Sequence, residues 1–196
     1  MAEGTAGGRG GAGPATGAVL LVSSATVAFG LLFGFSTAIV AGVLDDIAGA
    51  FALDTGGTEA VVAVLVAACF VGAILASPLS ARLGRRSALG IAAVLGLAGY
   101  AAILLAPTLP VLVAGRIAIG LGVGLSSMVA PMYAAEATPA RVRGAVVSLS
   151  QLAITSGILA AYATPLVLAD ALAWNGLVGS GIAVAAGCLA VALAIP

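Results

Sequence analysis

The 196-residue chain is 62% hydrophobic and only 7% charged, and all seven of its basic residues are arginine. Soluble domains carry about 25% charged residues, so this sequence cannot cover a water-exposed surface, and we expect a membrane protein. Its net charge of zero excludes nucleic acid as a partner, because that partner requires a basic surface.

The chain begins with a glycine- and alanine-rich segment and continues with six long apolar runs. Residues 1–17, MAEGTAGGRGGAGPATG, are predicted to be a disordered tail, since glycine-rich chains behave as flexible coils. A transmembrane helix needs about 20 mostly apolar residues. The runs that meet this length, called the first to sixth spans, are 18–44, 60–79, 88–106, 110–135, 145–168 and 172–195.

The first span is too long for the apolar part of a signal peptide, so we interpret it as a retained helix. None of the spans shows the two-residue alternation of a membrane β-barrel. The predicted fold is therefore an all-α membrane protein, with a six-helix transmembrane bundle over residues 18–196.

An internal repeat divides this bundle into two parts. GLLFGFSTAIV at 30–40 aligns with GLGVGLSSMVA at 120–130, an offset of 90 residues (120 minus 30). The alignment pairs the first span with the fourth. It predicts two inverted three-helix repeats, an arrangement found within one half of many transporters.

The charged residues separate to opposite sides of the predicted bundle. One side carries every arginine except Arg116, and the other carries no arginine. Because arginines near span ends favour the cytoplasm, we expect an integral protein of a bacterial inner membrane with both termini cytoplasmic. The arginines on the first side are Arg9, Arg82, Arg85, Arg86, Arg141 and Arg143, and the acids on the other are Asp45, Asp46, Asp54, Glu59 and Asp170.

The connection between the second and third spans contains a recognisable motif. SPLSARLGRR, residues 77–86, resembles the loop G-x-L-x-D-R-x-G-R-R of major facilitator superfamily transporters. Ser77 replaces the first glycine of that loop and Ala81 replaces its acidic residue. The matching residues are Arg82, Gly84, Arg85 and Arg86.

A longer and more specific match covers residues 115–159. This segment is similar to the fourth and fifth helices of the sugar porter family within that superfamily. The family pattern has Gly-Arg, Pro-x-Tyr-x-x-Glu-x-x-Pro, Arg-Gly and a glutamine seven residues later. It falls on Gly115, Arg116, Pro131, Tyr133, Glu136, Pro139, Arg143, Gly144 and Gln151. GLLFGFSTAIVAG at 30–42 also resembles the family's first helix, G-x-L-F-G-Y-D-T.

The resemblance implies the N-terminal six-helix half of a transporter that usually has twelve helices. A half-size chain needs a second bundle around its substrate, so we expect a parallel homodimer that moves a monosaccharide by alternating access. Two alternatives remain open: a truncated N-terminal bundle, and a membrane sugar sensor or assembly partner that does not transport. The expected partners are the sugar, the lipid bilayer and a second copy. We expect no enzyme activity, cofactor or metal site.

The resemblance assigns the substrate contacts to the first and fifth spans. Gln151 matches a glutamine that bonds sugar hydroxyls in sugar porters, although an amide at this depth is also typical of helix–helix contacts. Phe33 matches an aromatic that packs against the sugar, with packing inside the bundle as the alternative. Thr37 can bond a sugar hydroxyl or, as the alternative, the carbonyl of its own helix four residues earlier. The predicted contacts are Phe33, Ser36, Thr37, Gln151, Ile154 and Ile158.

The resemblance also assigns a gate and a coupling residue. In the family, charged residues at the cytoplasmic helix ends form ion pairs that close the transporter on that side. Glu136 is the only acid there apart from Glu3 in the tail, so we expect it to pair with arginine. The predicted gating and coupling residues are Arg82, Arg85, Arg86, Arg116, Glu136 and Arg143.

Ser36 departs from the family pattern, which has aspartate at this position in proton-coupled members. No Asp, Glu or His lies within the predicted spans between their polar ends, and proton relays in membranes usually use such residues. Arg116 then lacks an acidic partner, and it either pairs with Ser36 and water or extends outward. We therefore expect a uniporter that carries out facilitated, uncoupled transport.

Overall fold

The computed structural model describes residues 14–106 and 108–195, which are helical almost throughout and contain no strand. The predicted all-α fold is confirmed. The helices are α1 (Pro14–Ala38), α2 (Leu44–Phe51), α3 (Thr55–Leu83), α4 (Arg85–Leu104), α5 (Leu109–Ala137), α6 (Ala140–Leu168), α7 (Trp174–Gly179) and α8 (Gly181–Ala194). A 3-10 segment, Ile39–Val43, joins α1 to α2.

Within the described residues, six stretches are long and apolar enough to cross a membrane, and each overlaps one predicted span. The second and fourth stretches extend beyond their predicted limits at both ends, the first at its end and the third and fifth at their starts, because backbone hydrogen bonding continues where the apolar run stops. The third ends at Leu104, before the predicted 106, and the sixth lies inside its predicted limits of 172–195. The six stretches, which keep the names first to sixth span, are Val19–Phe51, Thr55–Leu83, Arg85–Leu104, Leu109–Ala137, Ala140–Leu168 and Trp174–Ala194.

The first span differs from its prediction at both ends. Its helix begins at Pro14, before the predicted start at 18, and residues 1–13 of the predicted tail lie outside the described residues. At the other end α2 continues past residue 44, with Asp45 and Asp46 exposed and Ile47 buried. The two acids mark the limit of the apolar surface but not the end of the helix.

Two short connections fix how consecutive spans follow each other. Asp54 caps the second span, since its Oδ1 accepts a hydrogen bond from the Gly57 amide at 2.8 Å. Gly84 alone separates the second span from the third, and its φ of 84° lies in a region that residues with a Cβ rarely adopt. This explains the glycine of the RLGRR motif.

The charged residues lie at opposite ends of the bundle, as their positions in the sequence predict. The arginine end carries Arg82, Arg85, Arg86, Arg141 and Arg143, and the acidic end carries Asp45, Asp46, Asp54, Glu59 and Asp170. At the arginine end, Arg86 Nη2 donates to the carbonyl of Leu193 at 2.9 Å. At the acidic end, the rings of Phe51 and Trp174 pack edge to face, 5.6 Å apart.

Packing between the spans follows the internal repeat. The first span lies against the fifth and sixth, and the fourth lies against the second and third in the same way. The first and fourth spans also contact each other, as do the third and sixth. Each contact of the first three spans therefore has a counterpart in the last three.

Paired glycines make this correspondence visible at the level of single residues. A Cβ added to Gly30 would lie 2.8 Å from Ala153 Cβ, and one added to Gly120 would lie 2.7 Å from Ala68 Cβ. The glycines are 90 residues apart (120 minus 30) and their alanine neighbours 85 (153 minus 68). The inverted repeat thus extends from the first and fourth spans to the second and fifth.

Gly34 and Gly124 bring the spans into direct backbone contact. A Cβ on Gly34 would collide with the backbone carbonyl of Ile154, and one on Gly124 with that of Cys69. Gly157 and Gly72 lie equally close to the carbonyls of Leu31 and Leu121 from the opposite side. At these positions, spans one and five, and spans two and four, leave no room for a Cβ between their backbones.

We predict that Gly34→Ala and Gly124→Ala each destabilise the bundle, because the new methyl group meets backbone rather than a movable side chain. Overpacking of this kind costs about 1–3 kcal/mol, so the Tm of the detergent-solubilised protein should fall by several degrees. Gly90→Ala and Gly187→Ala are matched controls, since nothing lies within 4 Å of an added Cβ at either position. A Tm for Gly34→Ala equal to that of the controls contradicts the prediction.

Candidate functional site

The faces of the first and fifth spans that meet carry most of the predicted substrate contacts. Residues three, four and seven apart share one face of a helix, so Phe33 and Thr37 lie on the same face as Gly30 and Gly34. On the fifth span, Ile154 and Ile158 share a face with Gln151. Because Gly34 touches the backbone of Ile154 and Ile158, the structure brings these two faces together.

Gln151 presents its amide on the open side of this contact. The residue is exposed, and its side chain makes no hydrogen bond to any described residue. An amide has two donors and one acceptor to satisfy, and leaving it unpaired in an apolar medium costs about 1–3 kcal/mol by protein mutational data. A ligand or a second bundle can supply the missing partners.

A small cavity of about 60 Å³ lies between the first, fourth and fifth spans, and Gln151 is not among the residues that line it. Phe33 and Ile154 form part of its wall. Ligand pockets usually measure about 300–1,000 Å³, so this cavity is one side of a larger site or a gap in the packing. It is lined by Thr26, Phe29, Gly30, Phe33, Ser126, Ser127, Ala130, Pro131, Ser150 and Ile154.

Four hydroxyl-bearing residues that line this cavity are not among the substrate contacts predicted from the sequence. Ser126 and Ser127 are the repeat partners of Ser36 and Thr37 at the offset of 90 residues (126 minus 36), so the repeat was the signal that could have found them. Thr26 and Ser150 have no such signal. Ser127 Oγ donates to its own helix at Gly124 O, 2.8 Å away, and keeps its acceptor capacity.

Thr37 and Ser36 behave differently although they are neighbours. Thr37 is exposed, and its Oγ1 donates to the carbonyl of Phe33 at 2.8 Å, the alternative expected from the sequence. Ser36 is buried and points into the bundle, where its Oγ donates to Leu32 O at 2.6 Å. The same oxygen lies 2.7 Å from Tyr100 Oη. Ser36 therefore does not share the open face with Thr37 and Gln151.

Arg116 is the largest side chain buried in the bundle, with 2% of its surface exposed. Its Nη2 makes a long hydrogen bond of 3.4 Å to the carbonyl of Val62, and its Nε has no partner among the described residues. Neither alternative considered for Arg116 is observed. The hydroxyl of Ser36 is hydrogen-bonded to Tyr100 rather than to Arg116. The low exposure of Arg116 excludes a side chain that extends outward.

The predicted gate is only partly assembled. Arg85 forms a two-pronged contact with Glu136, with Nη2 to Oε1 at 2.8 Å and Nε to Oε2 at 3.1 Å. Arg85 Nη1 also donates to Ser80 Oγ at 2.7 Å, which ties the second span to the same contact. Arg82 and Arg143 make no hydrogen bond or ion pair within the part of the chain that the structure describes.

Comparisons with known proteins agree with this architecture. A family model described as "Sugar (and other) transporter" matches residues 22–196. The galactose-proton symporter of Escherichia coli strain K12 is 39% identical over 150 residues, which are 76% of this chain and 32% of that protein. Inositol transporter 4 of Arabidopsis thaliana is 41% identical over 136 residues, 68% of this chain and 23% of that protein.

Solved structures show the same half-bundle. The proton:xylose symporter XylE, a major facilitator superfamily protein bound to 6-bromo-6-deoxy-D-glucose, superposes with a TM-score of 0.85 at 29% identity. The match covers 92% of this chain and 45% of XylE. An inward-open structure of XylE from E. coli gives a TM-score of 0.84 at 30% identity, over 91% of this chain and 48% of that one.

The chain thus spans about a third of the galactose symporter and about half of the XylE chains it matches. These relatives are transporters and not enzymes, in agreement with the expectation from the sequence. The family match, the superposition and the six apolar helices agree with one another. The chain is an integral membrane protein of the sugar transporter family, and it corresponds to the N-terminal six-helix half of a major facilitator sugar porter.

Proposed function

We propose that this bundle moves a monosaccharide across the membrane by alternating access. The observation that carries the proposal is the exposed amide of Gln151, which makes no hydrogen bond to a described residue and shares a helix face with Ile154, a residue that lines one cavity with Phe33. Sugar sites combine an apolar wall for the ring with a few polar groups for the hydroxyls, as small-molecule sites generally do. The galactose and xylose symporters among its relatives support a monosaccharide as substrate.

The proposed contacts are narrower than the set expected from the sequence. Phe33, Thr37, Gln151, Ile154 and Ile158 remain in the proposal because they flank the contact between the first and fifth spans. Ser36 is left out as a direct contact, since its hydroxyl is buried and bonded within the bundle.

Gln151→Leu should weaken sugar binding by about 2- to 150-fold, because it removes one or two hydrogen bonds of about 0.5–1.5 kcal/mol each. The chain is reconstituted alone into liposomes, and flux and binding of labelled hexoses and pentoses are measured. Thr164→Val is the control, since Thr164 is on the same span and its hydroxyl bonds its own helix at Ala160. Binding without flux favours a truncated bundle or a membrane sugar sensor, and a chain that neither binds nor transports contradicts the proposal.

A second bundle is needed to enclose the open face, and we propose that a second copy of this chain provides it. The second and fifth spans expose large apolar side chains, among them Phe70 at 69%, Leu159 at 72% and Leu166 at 87%. A parallel two-fold pair places the same face of each copy against the other. The pair encloses two copies of Gln151, with which an asymmetric sugar binds in two equivalent poses.

Native mass spectrometry in mild detergent should show this chain as a dimer. Leu159→Lys places a charge on the proposed contact face and should shift the chain toward monomers. Leu193→Lys serves as the control, because Leu193 is similarly exposed at 64% but belongs to the sixth span. A chain that is strictly monomeric and still transports sugar contradicts the dimer proposal.

We propose that the contact between Arg85 and Glu136 closes the arginine end in one half of the transport cycle, and that this end is cytoplasmic in a bacterial inner membrane. The contact joins the start of the third span to the end of the fourth. Arg82, Arg86 and Arg143 lie at the same end. When Glu136, the acid at this end among the described residues, is removed, no negative charge offsets the repulsion between these arginines.

Glu136→Gln should lower flux more than it lowers sugar binding, because it shifts the balance between open and closed states by about 1–3 kcal/mol. Arg141→Gln also changes one charge at this end without removing a hydrogen bond among the described residues, and should behave like the unmodified protein. Restored flux in the exchanged pair Arg85→Glu with Glu136→Arg supports a direct contact. Equal losses of flux and binding in Glu136→Gln indicate misfolding and contradict a gating role.

We propose further that transport is uncoupled from protons. Within the bundle, Ser36 and Tyr100 bond each other where a coupled porter needs a carboxylate, and Arg116 has no acidic contact among the described residues. The galactose and xylose relatives named above are proton symporters, so the proposal rests on this chain's own residues.

Sugar counterflow in liposomes should therefore be insensitive to an imposed proton gradient. Ser36→Asp should make uptake depend on pH, because it introduces a titratable group one hydrogen bond away from Tyr100. Ser36→Asn is the control, because asparagine has nearly the same shape as aspartate but cannot take up or release a proton. Accumulation of sugar against its gradient by the unmodified chain, abolished by a protonophore, refutes uncoupled transport.

A further inference from the structure

A shallow groove runs along the second span toward the arginine end and finishes at Arg82. Its volume is about 220 Å³, and its walls are Leu75, Pro78, Leu79 and Arg82. These residues are three, four and seven positions apart, so they form one stripe on a single helix face. Leu75 is 49% exposed, and the groove is open to whatever surrounds the bundle.

The arginine end has more positive charge than its own acids can balance. Five arginines lie there, Arg82, Arg85, Arg86, Arg141 and Arg143, with Glu136 as the acid among the described residues. Arg85 takes both oxygens of Glu136. Arg82 is exposed and makes no hydrogen bond or ion pair within the described part of the chain, so its guanidinium is available to an anion.

The position of the groove relative to the membrane suggests what that anion is. The second span ends at Leu83, so Arg82 lies in its last turn. The span's 29 residues measure about 44 Å at 1.5 Å per residue, which matches a bilayer of about 40–45 Å with its headgroups and assigns Arg82 to the level of the lipid phosphates. Leu79 lies about one turn deeper and Leu75 about two turns deeper, on the side of the acyl chains, since each turn rises 5.4 Å. We propose that this groove binds an anionic phospholipid, with an acyl chain along Leu75, Pro78 and Leu79 and the phosphate on Arg82.

Charge favours a lipid over a second copy of this chain as the occupant. In the proposed parallel pair, whose contact face is marked by Phe70, Leu159 and Leu166, the second copy brings its own surplus of arginines to the same end, so like charges oppose a direct contact at Arg82 itself. The phosphate of a lipid is complementary in charge to Arg82. Its acyl chain can pack against the apolar walls of the groove, Leu75, Pro78 and Leu79. Basic residues at the cytoplasmic surface attract anionic lipids by about 1 kcal/mol each.

A second groove on the molecule provides an internal comparison. It lies between the first and fifth spans, measures about 240 Å³, and has no charged residue in its walls. Its lining residues are Val27, Leu31, Leu149, Leu152, Ala153 and Ser156. This groove can accept acyl chains but has no group that distinguishes headgroups, so selectivity for anionic lipid should depend on Arg82. The inference does not depend on the proposed transport of sugar.

Native mass spectrometry of the full chain, with phosphatidylglycerol or phosphatidylcholine of identical acyl chains, tests the proposal. The unmodified protein should retain phosphatidylglycerol about fivefold more strongly. Arg82→Gln should abolish this preference, Arg82→Lys should keep most of it, and Arg141→Gln should leave it unchanged. Leu75→Trp, which fills the groove, should lower retention of both lipids. Glycerol 3-phosphate should not compete, because it lacks the acyl chain.

Two results overturn the proposal. Equal loss of preference in Arg82→Gln and Arg141→Gln shows that the arginine end attracts anionic lipid diffusely, without a site. Unchanged lipid retention in Arg82→Gln, with a change in the dimer population instead, assigns the groove to a contact between bundles. The Tm of each variant confirms that it is folded.

Discussion

Backbone contact between helices, made possible by glycine, is the constraint on which this bundle depends. Lipid tails are as apolar as leucine, so transmembrane helices associate through close packing rather than through hydrophobic burial. Gly34 and Gly157 let the first and fifth spans touch backbone to backbone, and Gly124 and Gly72 do the same for the fourth and second. A methyl group at any of these positions separates two helices and disturbs everything that their contact positions.

The candidate substrate site is a consequence of this contact. Phe33 and Thr37 share a helix face with Gly34, and Gln151 shares one with the residues that Gly34 touches. The close approach therefore sets the spacing between an aromatic ring on one span and an amide on the next. Their open side has no cover within the described residues, and the second bundle proposed above would face it.

Two arginines with opposite environments show how charge is used in this fold. Arg85 is partly exposed and forms two hydrogen bonds with Glu136. Breaking this contact costs little free energy, because water can replace both hydrogen bonds. Arg116 is buried, has a long hydrogen bond to Val62 and has an unpaired Nε. In the proposed transport cycle, breaking the first contact opens one end of the bundle, whereas moving the second charge requires the surrounding helices to rearrange.

The sequence by itself determined the number of spans, the all-α fold, the separation of arginines from acids and the family, because these depend on hydropathy, charge and motif spacing. The internal repeat also pointed to the correct pairing of the first and fourth spans. Only the tertiary structure decided which way each polar residue faces. Ser36 and Thr37 are adjacent in the chain, yet helix geometry turns one toward Tyr100 and leaves the other exposed. The partner of Arg85, the isolation of Arg116 and the groove at Arg82 likewise depend on distances between spans, which local sequence patterns do not contain.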